Sequence, residues 1–142
     1  MNTLSFQEAV RRGGSNRTER HYLDFIISGK SLSKLLHFKT HDYVTLLGWG
    51  DNKEYNNHIL KIFTLQEVPD LKSGRVMLYV CPDCGDIDCG AITAKIIESD
   101  SVIVWEDFVL ETDYDGVSKE YSEIEPIQFD KQNYLEAFFK LP

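Results

Sequence analysis

Basic charge is in short supply. Against 23 aspartates and glutamates the chain sets 15 lysines and arginines, a formal charge of −8. Nucleic acid and anionic membrane surfaces repel such a chain, so neither is expected as a partner. Cysteine is scarcer still, with three residues, and an odd number argues against a disulfide framework. Long apolar runs are missing as well. VTLLGW and SVIVW fall far short of the roughly 20 residues that cross a bilayer. The opening MNTLSFQEAV has no basic start ahead of an apolar stretch, so no secretory signal is read and the cytoplasm is the expected compartment. Enzyme signatures are lacking too. There is no Walker-type phosphate loop, no dinucleotide fingerprint, no H-E-x-x-H and no G-x-S-x-G. TDYDG, residues 112–116, has too few ligands for a calcium loop. The chain is therefore read as a non-enzyme.

What is present suffices for one core. The 142 residues are 42% hydrophobic and 12% aromatic, which fits a single domain spanning 1–142. TLSFQEAV reads as a short opening helix with Leu4, Phe6, Ala9 and Val10 partly inward, and RRGGSNRTER as a loop. HYLDFII alternates like a strand, with Leu23, Phe25 and Ile27 on one face. Ser31 is placed to cap a short helix through LSKLLHF. DYVTLLGW reads as a second strand. EYNNHILKIFTLQ reads as a helix ended by Pro69. RVMLYV, AITAKII and SVIVWEDFVLET then form an antiparallel meander over 75–112, its second turn made by ESDS. DYDG is another turn and PIQF an edge strand. Asp130 caps a last helix whose Tyr134, Phe138 and Leu141 share a side. The expected fold class is α+β, an antiparallel sheet of four to five strands with helices on one face.

All three cysteines fall in YVCPDCGDIDCGAITAKI, as Cys81, Cys84 and Cys89. The C-x2-C-x4-C text and its CPDCG core resemble the knuckle of zinc ribbons and rubredoxins. There a proline and a glycine shape a turn that points backbone N–H groups at thiolates. Zinc wants four thiolate or imidazole ligands, and only three sulfurs are local. No second knuckle exists, and His21, His37, His41 and His58 all lie upstream. Asp83, Asp86 and Asp88 offer oxygen, which structural zinc rarely uses. Three other readings stand beside zinc. A C-x-x-C redox pair needs a helix start, and the aspartates are expected to raise a thiol pKa. A catalytic cysteine needs a base that the text does not identify. A plain hairpin connection needs only Gly85 and Gly90 for its turns, with the thiols buried as small apolar groups.

The charge is concentrated. Glu98 to Glu125 holds ten acids and one base, Lys119, while the remainder is near neutral. Such a segment is either a solvated face or a docking face for a basic partner. The docking residues are Glu106, Asp107, Glu111, Asp113, Asp115, Glu120 and Glu123. In an ideal strand Glu106 and Asp107 point to opposite faces, which makes the acidic turn after Glu111 the better contact.

LYVCPDCGDIDCGAITAKI and VIVWEDFVLETDYD together resemble a group of small bacterial proteins. The group's text runs Y-V-C-P-x-C-G-D-x-x-C-G-A-x-T, followed by a W-x-D-F strand. PIQFDKQNYLEAFFKL resembles the ending of that group, and DFIISGKSL matches it more loosely. No catalytic residues come with the resemblance. By type, a small acidic domain without an active site also resembles the immunity proteins of bacterial toxin–immunity pairs. That likeness implies a module that binds and neutralises a basic, nuclease-type toxin domain and needs no cofactor. The alternative is a small zinc domain, or a metal- or thiol-dependent enzyme, built on Cys81, Cys84 and Cys89. The sequence gives no oligomeric state.

Overall fold

The chain begins with a hairpin. In the computed structural model, which describes residues 1–38, 42–50, 52–112 and 116–141, β1 (Leu4–Arg11) and β2 (Arg20–Ile27) pair antiparallel over eight residues. The expected opening helix is therefore a strand. Leu4 and Phe6 alternate with exposed Ser5 and Gln7, the period of a half-buried strand, and the pairing with β2 decides between the two readings. A two-residue β3 (Lys30–Ser31) adds to β2 and completes a three-stranded sheet that the sequence did not announce. The short α1 (Leu32–Leu36) follows, with Ser31 at its N-cap position. The Ser31 hydroxyl makes no cap and instead donates to Asp24 at 2.5 Å.

DYVTLLGW is not a strand. Only Val44 pairs, in an isolated bridge with Val80. Its residues 44–47 are buried without alternation, because the segment is enclosed between the two sheets' elements: Leu47 accepts from Leu23 N–H at 2.9 Å while Val44 pairs outward to Val80. α2 (Lys53–Phe63) starts at Asn52, whose side chain accepts from Tyr55 N–H, and it ends well before Pro69. Leu65, at φ +65°, reverses the chain there.

The second sheet is the expected meander, extended. β4 (Val76–Val80), β5 (Ala91–Glu98) and β6 (Val102–Thr112) run antiparallel. The far edge of β6 has two neighbours. β8 (Ile127–Asp130) pairs its first half, from Val102 to Trp105, and β7 (Gly116–Glu120) pairs its second half, from Val109 to Thr112. α3 (Lys131–Phe139) closes the chain, and Asp130 caps it by accepting from Asn133 N–H at 3.0 Å, as expected. Two sheets and three helices make the α+β class.

Aromatic rings fill the space between these layers. Phe25 of β2 meets the Trp105 ring of β6 at 5.2 Å and the Phe63 ring of α2 at 5.5 Å. Phe138 of α3 stacks on Phe63 at 5.4 Å and meets Phe6 of β1 edge-on at 5.2 Å. Each fully buried ring contributes about 1.5–3 kcal/mol. β4 joins the stack through Tyr79, whose ring meets Phe25 edge-on at 5.9 Å, and the cysteines sit on the connection that follows β4 and leads into β5.

Candidate metal centre

The connection between β4 and β5 is built residue by residue around sulfur. Val80 ends β4, and Cys81 starts a turn closed by Gly85 N–H donating to the Cys81 carbonyl at 2.9 Å. Gly85 takes φ +70°, a region where a side chain is strained. Asp86 then caps a single 3-10 turn, Ile87–Cys89, by accepting from Asp88 N–H at 2.9 Å. Gly90, at φ +88°, hands the chain to β5. The 3-10 turn is the step that the spacing alone does not give. It folds Cys89 back over the first turn, so the sulfurs of Cys81, Cys84 and Cys89 lie within 4.8 Å of one another.

All three thiols are free. Cys84 and Cys89 are exposed and Cys81 is half-buried. The hairpin reading with buried thiols therefore fails, because two of the three sulfurs face outward. The predicted electrostatics also change. Burial works to raise the Cys81 pKa, but N–H groups of Cys84 and Asp83 and the neighbouring thiols outweigh it, and the net shift is downward. The aspartates do not raise it. Asp83 acts through its backbone N–H, and its carboxylate faces Arg11 at 3.6 Å. Cys84 moves the other way. Its thiol is held by the sulfurs of Cys89 and Cys81 and is pushed up to about 12. The two neighbouring thiols are thus shifted in opposite directions.

The surroundings brace the loop. Arg20 Nε donates to the Pro82 carbonyl at 2.8 Å while its guanidinium lies 3.9 Å over the Trp49 ring. The Trp49 indole N–H donates to the Thr45 carbonyl at 2.8 Å. On the other side the Tyr43 hydroxyl donates to the Cys89 carbonyl at 3.2 Å. No histidine joins the sulfurs among the described residues. His21 pairs with Glu19 at 3.1 Å, His37 caps α1, and His58 sits between Glu67 and Asp70. His41 lies outside the described residues.

The acidic residues are placed unevenly. Glu111 is 6% exposed and turns inward, accepting from the Thr93 hydroxyl at 2.6 Å and from Ser73 at 3.1 Å, so it offers no surface to a partner. Asp107 is bound to Arg75 at 2.5 Å and reaches Lys95 at 3.5 Å. Glu106 is half-buried, and Glu120 and Glu123 are exposed. Asp113 and Asp115 lie outside the described residues. The ideal-strand expectation for Glu106 and Asp107 is overturned. The β5–β6 register slips between Thr93 and Lys95, and Asp107 takes φ +59°, which is a β-bulge. Lys95 opposes Glu106 in the ladder and also reaches Asp107, so both carboxylates come to one side. With Glu120 they line one surface depression of about 330 Å³.

No helix among the described residues is long and apolar enough to cross a membrane. Comparison with known protein families, curated proteins and solved structures finds no match for this chain.

Proposed function

We propose that this chain is a thiolate metal-binding domain whose β4–β5 connection holds one zinc ion through Cys81, Cys84 and Cys89. The observation that carries this reading is the convergence of three sulfurs within 4.8 Å. Zinc–sulfur bonds of about 2.3 Å in a tetrahedron set sulfurs about 3.8 Å apart. The three sulfurs therefore need to close by at most about an ångström. Soft thiolates select zinc over the hard cations, whose ligands are oxygens. N–H groups aimed at Cys81 support the same reading, because they stabilise the thiolate that a metal binds. The aspartates fit as braces: Asp86 caps the 3-10 turn and Asp83 faces Arg11. The centre would fix the end of β4 to the start of β5, and binding energy of this kind is folding energy.

Elemental analysis of protein purified without chelator tests the reading. About one zinc per chain is expected, with cobalt replacement giving a sulfur-to-cobalt charge-transfer band that Cys84→Ser weakens. Metal-free protein that also fails to take up cobalt would sink it.

A second reading keeps the acidic surface. The bulge at Asp107 favours it, since Glu106, Asp107 and Glu120 share one depression. We infer that a basic protein partner, such as a toxin domain neutralised by an immunity protein, would dock there, with Glu123, Asp113 and Asp115 adding negative charge to the same stretch of sequence. Glu106→Lys with Glu120→Lys should slow association with such a partner and flatten its salt dependence. Unchanged association rates would remove this surface.

A further inference from the structure

We propose that the fourth coordination position of the cysteine centre is filled from outside the chain, by a neutral imidazole-type nitrogen donor entering a cavity between Trp49 and Tyr55. The inference rests on the zinc reading above and says what that centre binds.

The donor count comes first. Zinc takes four ligands, and among the described residues no imidazole or carboxylate joins the three sulfurs. A three-ligand zinc keeps one position open to solvent or to a bound molecule. Geometry comes second. Cys84 is exposed and forms part of the wall of a cavity of about 570 Å³, together with Trp49, Asn52, Tyr55, Asn56 and Asp86. That volume far exceeds what one water needs and is of the size of a small-ligand site.

The wall is built before any ligand arrives. Trp49 is fixed on three sides: by its hydrogen bond to Thr45, by the Arg20 guanidinium over its ring, and by Gly85 against its edge. A Cβ on Gly85 would stand 3.1 Å from that ring, so the cysteine turn and the indole are in direct contact. Asn52 spends its side chain on the helix cap at Tyr55 N–H, which fixes the first turn of α2, and Tyr55 also lines the cavity. Two aromatic walls beside a metal suit a flat ring.

Charge selects the donor. Three thiolates around a zinc ion leave a net charge of about −1. Asp86 adds a carboxylate to the same wall. A thiolate or carboxylate ligand would raise the local negative charge, whereas a neutral ring nitrogen would not. Imidazole is also an ordinary zinc ligand.

The experiment uses the full chain loaded with cobalt(II), with imidazole as the probe. The d–d bands should shift saturably with imidazole at millimolar concentration while the sulfur-to-cobalt band persists. Tyr55→Leu should weaken imidazole binding by about fivefold or more and leave cobalt stoichiometry unchanged, which also reports that the variant folds. A sulfur-to-cobalt band with d–d bands indifferent to imidazole would overturn the inference and leave the zinc reading intact. So would a His41→Ala variant that loses cobalt affinity, because the chain would then supply its own fourth ligand. Absence of the sulfur-to-cobalt band would overturn both.

Discussion

Gly85 and Trp49 are in edge contact: a methyl group on the glycine α-carbon would stand 3.1 Å from one ring carbon and 3.2 Å from the next. The glycine also sits at φ +70°. Gly85→Ala therefore meets two penalties at once. Strain in the left-handed region costs about 1–3 kcal/mol. The displaced turn should weaken cobalt binding by about 10- to 100-fold, as loss of a positioning contact does around metals. Gly74→Ala is the control, since Gly74 has φ +76° and open space around it. It should lose stability in urea unfolding but not metal affinity. Equal metal affinity in both variants would show that the Trp49 contact does not position the sulfurs.

Tyr134 links three elements through one hydroxyl. It receives the Trp105 indole N–H at 3.2 Å and donates to the Phe63 carbonyl at 2.7 Å, wholly inside the core. Tyr134→Phe strands both partners without water. The expected loss is about 1–3 kcal/mol in urea unfolding, with the fold kept.

Asp24 joins the small sheet to the large one. It accepts from the Tyr79 hydroxyl at 2.5 Å, the Ser31 hydroxyl at 2.5 Å and Phe25 N–H at 2.9 Å. Asp24→Ala should cost about 1.5–3 kcal/mol. A double-mutant cycle with Tyr79→Phe should show coupling, because the tyrosine is 1% exposed and the aspartate is its hydrogen-bond partner. Strict additivity would count against the bond.

His58 bridges two acids that follow α2. Its pKa is raised from 6.5, first by the hydrogen bond with Asp70 and then by that with Glu67. A group whose folded pKa lies above its unfolded value binds its proton more tightly when folded. Its stabilising contribution is therefore complete below about pH 6.5 and fades as pH rises through the raised value. His58→Gln should lower the urea midpoint at pH 6 and leave it nearly unchanged at pH 9. A gap that stays constant across that range would refute the ion-pair origin.

Parts of this fold are legible in local text, and others depend on partners far away in the chain. α3 announces itself through Asp130 and the spacing of Tyr134 and Phe138, both of which are buried. The meander is legible because turn residues separate its apolar runs. β1 is not, since Leu4, Phe6, Ala9 and Val10 suit either period until β2 pairs with them across residues 12–19. DYVTLLGW misleads for the opposite reason: it is apolar because both sides are covered, not because it is a strand.

The candidate site divides in the same way. Cysteine spacing locates the loop, but convergence of the sulfurs needs the Asp86-capped 3-10 turn, and Asp86 reads as an ordinary loop residue. Charge density locates the acidic segment, yet burial of Glu111 depends on Thr93 and Ser73, 18 and 38 residues away. The bulge at Asp107 has only a weak local signature. Aspartate tolerates positive φ better than most residues, which permits the bulge without predicting it.

The two neighbours on the far edge of β6 have a consequence for how the protein breathes. β8 stops at Trp105 and β7 begins at Val109, so the bulge falls at a join where Tyr121 N–H to the Phe108 carbonyl spans the gap. Either half of the edge can open there without unzipping the other. Deuterium should therefore enter this strand from its middle as well as from its ends, a pattern foreign to a continuous ladder.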